Sequence, residues 1–196
     1  ETASAIAYDA IGRKIAESVA TPVDDASSKS ISQIIQAAKT YYGDDAVETT
    51  YSYDGTSLGN ATSEQAPGEE FAYHPKQSEI GANSNTLHSC IRLTCDAQSG
   101  AIRNTGNYSS GELTVATTTD EDGNLHITFT DRLGNTILDR RGSEGNWLDT
   151  YYVYDNSGLL QAVLPPKATI PQEGSAVSTD DINRLAYLYR YDSRDR

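Results

Sequence analysis

A short phrase recurs along this chain: an aromatic residue, Asp, two further residues, then Gly. It stands in full as Tyr154-Asp155-Asn156-Ser157-Gly158-Leu159 and as Tyr8-Asp9-Ala10-Ile11-Gly12-Arg13. A looser copy is Phe129-Thr130-Asp131-Arg132-Leu133-Gly134, and the chain ends in Tyr189-Arg190-Tyr191-Asp192-Ser193-Arg194-Asp195-Arg196, where Asp195 stands in place of the glycine. The Asp side chain accepts hydrogen bonds from backbone groups a few residues on and so starts a turn. The Gly three positions later supplies the positive φ that a tight return needs. A phrase that repeats a turn predicts a hairpin ladder, built for architecture before chemistry. The expected fold is therefore mainly β, an antiparallel β-hairpin ladder or curved sheet. One or two short helices are expected near residues 30–42 and 179–185.

Periodicity places the elements. Ile31, Ile34, Ile35, Ala38 and Tyr42 share one face of a 3.6-residue period, with Ser30 to cap the start and Gly43 to end it. Ser178-Thr179-Asp180-Asp181 is a second helix start. Strands are expected at 5–19 on either side of Gly12, at 47–53, 86–94, 112–119, 125–130, 136–141, 149–154, 159–164 and 186–191. A further short strand is expected at 61–65. Residues 54–68 and 74–85 read as loop, apart from that short strand, and Asp96-Ala97-Gln98-Ser99-Gly100 as a turn. The regularity increases after residue 110, which suggests an irregular β-rich lead-in over 1–110 and a hairpin segment over 111–196, packed as one unit.

Composition removes several function classes. A net charge of −13 opposes binding to nucleic acid, whose partners carry clustered Lys and Arg. No apolar run approaches the length of a membrane-spanning helix. Met is absent, so Glu1 is read as a processed or chosen start, and Arg196 as a cut inside a phrase. Cys90 and Cys95, five positions apart in one expected strand, would lie roughly 16 Å apart and could not pair.

Thirteen Tyr against two Phe and one Trp point to pleated, half-buried faces. Tyr152 with Tyr154, Tyr51 with Tyr53, and Tyr187 with Tyr189 and Tyr191 each share a strand face by the period of two. Such rings form cross-strand ladders, and with neighbouring Asp, Asn and Arg they also have what sugar recognition needs. Catalytic signals are thin. His74, His88 and His126 lack metal-ligand spacing, and because adjacent strand residues face opposite sides, His88 forms no local dyad with Ser89. Asp120-Glu121-Asp122-Gly123-Asn124 has a flavour of a calcium loop but lacks the distal bidentate Glu. Glu69-Glu70 could form half of a paired-carboxylate site, with no partner in view. No cofactor or metal is expected.

The segment Asp149-Thr150-Tyr151-Tyr152-Val153-Tyr154-Asp155-Asn156-Ser157-Gly158-Leu159, followed by Val163-Leu164-Pro165-Pro166, resembles the RHS or YD-repeat family, in versions common in Bacteroidetes. Leu185 to Arg194 resembles the following repeat, and 117–123 with 129–141 the stretch before it. The region around 37–42 and Gln65-Ala66-Pro67-Gly68-Glu69 is similar to the lead-in of such proteins. The resemblance implies a secreted or surface protein whose β-rich wall encloses or presents a C-terminal effector domain. Its partners would be the downstream repeats and that domain, with a cell-surface glycan or protein as a further possibility. It gives the chain a non-enzymatic structural role, in which Asp9, Gly12, Asp131, Gly134, Asp155 and Gly158 form repeat turns. A glycan- or protein-binding adhesion module using the Tyr-rich faces is the alternative.

Overall fold

A computed structural model describes residues 1–55, 59–71, 73–84, 86, 88–96, 99–192 and 194. Parts of several expected features lie outside the described residues. They are Ser193, Asp195 and Arg196 of the terminal phrase, Ala97 and Gln98 of the turn after Cys95, Leu87 of the 86–94 strand, and residues 56–58 and 85 of the expected loops. The fold is mainly β, with antiparallel sheets and two α-helices among the described residues. The chain divides into two compact units, residues 1–79 with 118–123 and residues 80–117 with 124–196, and not at 110/111.

The first unit contains β1 (Thr2–Ala3), β2 (Ile6–Tyr8), β3 (Lys14–Ser18), β4 (Thr21–Pro22), α1 (Ile31–Tyr42), β5 (Glu48–Tyr53), β6 (Ala61–Gln65) and the first four residues of β7 (Lys76–Ala82). Its main sheet runs β2-β3-β5-β6-β7, while β1 pairs with β4. Helix α1 starts in a reciprocal cap: the Ser30 hydroxyl accepts the Gln33 N–H at 3.3 Å, and the Gln33 side chain accepts the Ser30 N–H at 2.8 Å. Gly43 ends the helix in the left-handed region. Of the expected apolar stripe only Ile34 and Ala38 are buried, as are Ala5, Val23 and Val47 elsewhere in the unit, whereas Ile31 and Tyr42 stay exposed. Strand β7 stands where a loop was expected. Its sequence Lys-Gln-Ser-Glu-Ile-Gly-Ala carries little apolar signal, and pairing with β6 makes it a strand.

The second unit holds β8 (Ile91–Cys95), β9 (Ile102–Asn107), β10 (Thr114–Thr119, whose last two residues belong to the first unit), β11 (Leu125–Thr130), β12 (Thr136–Ser143), β13 (Asn146–Tyr154), β14 (Leu160–Leu164), α2 (Thr179–Leu185) and β15 (Tyr187–Leu188). Strands β10 to β15 lie side by side in chain order, and β8 pairs separately with β9. The register sets Phe129 opposite Leu138, Leu138 opposite Tyr151, and Tyr151 opposite Leu164. This buried row crosses four strands and forms the centre of the core, with Ile127, Val153 and Ala162 beside it. Three expectations are corrected. The strand expected at 86–94 begins only at Ile91, so Cys90 precedes it; β9 was not foreseen; and the strand expected at 186–191 is regular only over Tyr187–Leu188.

The phrase builds one turn three times. Asp9 Oδ1 accepts the N–H groups of Ile11 and Arg13 at 3.0 and 2.9 Å. Asp131 Oδ1 accepts those of Leu133 and Asn135, both at 2.8 Å. Asp155 Oδ1 accepts those of Ser157 and Leu159, both at 2.9 Å. In each copy the glycine N–H returns to the Asp carbonyl, and Gly12, Gly134 and Gly158 sit at φ of 86°, 88° and 82°. That is a type I turn closed by a left-handed glycine, the common three-residue hairpin. Each is preceded by a register shift, at Ala7/Tyr8, Phe129/Thr130 and Val153/Tyr154. The Arg13 backbone N–H, followed by its guanidinium, holds the Asp9 carboxyl below the usual range.

Two buried asparagines tie the second unit's loops to its strands. Asn83 accepts the Leu113 N–H at 2.8 Å and donates to the Ser109 carbonyl at 2.9 Å. Asn104 donates to the Pro171 carbonyl at 2.7 Å and accepts the Gly106 N–H at 2.9 Å. Each satisfies backbone groups that would otherwise be costly to bury.

Candidate functional site

Strand β13 alternates its side chains. Tyr151 and Val153 enter the core, and Tyr152 and Tyr154 are half-buried. Tyr152 and Tyr154 share a hollow of about 270 Å³ with Arg92, Tyr108 and the two phrase aspartates Asp131 and Asp155. The hollow therefore joins two turns and two tyrosines that the sequence had marked separately. Arg92 lies over the Tyr108 ring at 4.4 Å and bonds to the Glu112 carboxylate, while its Nε is buried with no hydrogen-bond partner. The Arg92 bond, followed by the Ser109 N–H, holds Glu112 below the usual carboxylate range. Burial pushes the Tyr108 and Tyr154 phenols upward, with Asp131 adding to both, so their hydroxyls remain donors at neutral pH.

The aspartates of this hollow are committed to their turns. Besides its two backbone bonds, Asp131 accepts Asn135 Nδ2 at 3.1 Å, and Asp155 accepts Gln161 Nε2 at 2.9 Å. Three bonds on each carboxylate leave little acceptor capacity, so the chemistry open to a guest is that of tyrosine rings, tyrosine hydroxyls and Arg92.

Tyr187 lies in β15, Tyr189 and Tyr191 follow it, and all three are exposed. The Tyr189 N–H continues the pairing to the Gln161 carbonyl at 2.9 Å, and the Tyr191 hydroxyl donates to the Leu160 carbonyl at 2.9 Å. Strand β15 pairs with β14 on one side and has no partner strand on the other among the described residues. Tyr51 and Tyr53 sit under cations, Lys14 at 4.6 Å and Arg13 at 4.5 Å.

No family model, curated protein or solved structure matches the chain. Its site is thus read from geometry alone.

The remaining sequence candidates take ordinary places. Burial pushes the Cys90 thiol up to about 12, and Cys90 and Cys95 are both free; a thiol so raised is protonated at neutral pH and a poor nucleophile. His88 sits edge-on to Phe129 with ring centres 6.4 Å apart. His126 Nε2 lies 2.7 Å from Asp139, which also accepts Arg141. Among the described residues no three His, Cys, Asp or Glu side chains converge as a metal site.

One gathering was not legible in the sequence. Glu70 lines a cleft of about 660 Å³ in the first unit whose other wall is the Asp120–Gly123 turn. Residues flagged fifty positions apart thus face one space, together with Phe71, Tyr73 and His74. No local spacing rule could have joined them.

Proposed function

We propose that the chain is a non-catalytic structural segment of an RHS/YD-repeat wall, part of a large secreted or surface protein, which shields or presents another domain. The observation that supports this reading most is the threefold use of one turn, with the same Asp acceptor, the same left-handed Gly and the same preceding register shift. A unit of structure made repeatedly from a short phrase suits a ladder that grows by adding hairpins. The open side of β15 is where the next hairpin would add.

Hydrogen exchange tests this. Because the Tyr189 N–H points to β14, the Leu188 N–H, one position away, points to the open edge. In this chain Leu188 should exchange rapidly. In a longer polypeptide continuing through the next phrase it should be protected by at least about a hundredfold. Equal, fast exchange in both would end the wall reading.

A second reading, an adhesion module that binds a glycan or protein, is favoured by the tyrosine-lined hollow. Its volume is close to the lower end for small-ligand pockets. Under this reading Tyr152→Ala weakens binding of a monosaccharide identified by array screening by about threefold to tenfold, as expected for loss of one aromatic platform. A panel of sugars that leaves the Tyr152 and Tyr108 resonances unmoved would dismiss it.

A further inference from the structure

Among the described residues, Arg13, Lys14, Arg92 and Arg140 share one setting, between an aromatic ring and a carboxylate. Arg13 lies over Tyr53 at 4.5 Å and bonds to Asp9 at 2.7 Å. Lys14 lies over Tyr51 at 4.6 Å and bonds to Glu17 at 2.7 Å. Arg92 lies over Tyr108 at 4.4 Å and pairs with Glu112. Arg140 lies 5.4 Å from the Trp147 ring and bonds to Asp149 at 2.7 Å. Four cations in both units are thus recognised by ring face and carboxylate together, a pairing that gains from the ring quadrupole as well as from charge.

The cleft of the first unit has the same two ingredients without the cation. Tyr73 (88% exposed) and Phe71 (38% exposed) supply rings, and Glu70, Glu121 and Asp122 supply exposed carboxylates. Among the described residues no Lys or Arg lines it. Tyr73 and Phe71 together place ring surface at the wall of the cleft, where it is open to a cationic guest.

We propose that this cleft receives a cationic side chain from a partner, the Arg or Lys of a basic polypeptide segment. Its volume of about 660 Å³ exceeds what one guanidinium fills and leaves room for the residues flanking it. A second copy of the chain is a poor occupant, since each copy carries −13.

The test uses a hexa-arginine peptide and its isosteric, uncharged hexacitrulline counterpart, titrated into the ¹⁵N-labelled chain at physiological salt. The proposal expects shifts concentrated at residues 70–77 and 119–123 with hexa-arginine and none with hexacitrulline. Tyr73→Ala, which leaves the net charge unchanged and removes an exposed ring, should weaken binding roughly threefold to tenfold. Asp122→Asn should weaken it more than Asp24→Asn, which removes the same charge from an exposed loop elsewhere in the unit. Shifts scattered over the acidic surface, with Tyr73→Ala and both charge variants alike, would reduce the binding to general attraction and overturn the site.

Discussion

Replacing Arg140 with leucine is expected to destabilise the second unit by about 3 kcal/mol, because it leaves the Asp149 carboxylate without its partner in the sheet. The guanidinium is held bidentately, Nε to Oδ1 at 2.8 Å and Nη2 to Oδ2 at 2.7 Å, and the two side chains are only 11% and 24% exposed. The aromatic rings of Phe129 and Trp147 flank it at 5.7 and 5.4 Å, which keeps water from one side of the pair. Leucine restores some of the packing but none of the charge. The size of the effect therefore comes from the stranded carboxylate and not from the lost attraction itself. It follows that Arg140→Leu/Asp149→Leu should recover most of the loss, since an apolar pair in such a place is often neutral. Urea unfolding followed by far-UV circular dichroism measures both variants. A single variant within 1 kcal/mol of the parent, or a double variant no better than the single, would mean that the pair is solvated well enough to be dispensable.

The Arg140–Asp149 pair also shows where sequence reading stops. Both residues lie in strands that were anticipated from alternation, yet nothing in the local pattern says that position 140 opposes 149. Register across a hairpin decided it. The same limit applies to the cleft, where Glu70 meets the 120–123 turn through contacts no spacing rule encodes. By contrast, α1 was legible to the residue, because Ser30, Gln33 and Gly43 specify both ends by local hydrogen bonding. The phrase turns were legible for the same reason, since an Asp and a Gly three apart complete their bonds within five residues. Strands β7 and β9 were missed because their sequences, Lys-Gln-Ser-Glu-Ile-Gly-Ala and Ile-Arg-Asn-Thr-Gly-Asn, are polar. In β9, Asn104 occupies a buried position and is satisfied by Pro171 and Gly106, so a core position reads as a loop residue. Local signals were readable; positions whose partners are distant were not.

Glycine gives the second large effect, and it falls outside the recurrent phrase. Gly142→Ala is expected to cost about 3 kcal/mol, of which backbone strain at its positive φ contributes roughly 1–3 kcal/mol. At φ +124° an added Cβ would lie 2.4 Å from the Asn146 carbonyl oxygen, a backbone atom that no side-chain rotation can move. Ser143 pairs with Asn146 and Gly142 with Trp147, so relief of the clash requires opening the β12–β13 hairpin at its end. Gly158→Ala is the control. Its φ of +82° carries a strain of about 1 kcal/mol, but the nearest atom to a new Cβ is Leu133 Cδ1 at 4.0 Å, which is ordinary contact. Thermal unfolding of the two variants should therefore separate clearly, with Gly142→Ala losing about three times as much stability as Gly158→Ala. Equal losses would show that the hairpin end relaxes freely and that left-handed backbone geometry alone sets the cost. The expected order has a consequence for the ladder. The phrase glycine is favoured by backbone conformation in open space, which a repeat can satisfy imperfectly, whereas Gly142 is required by a close approach between two particular strands.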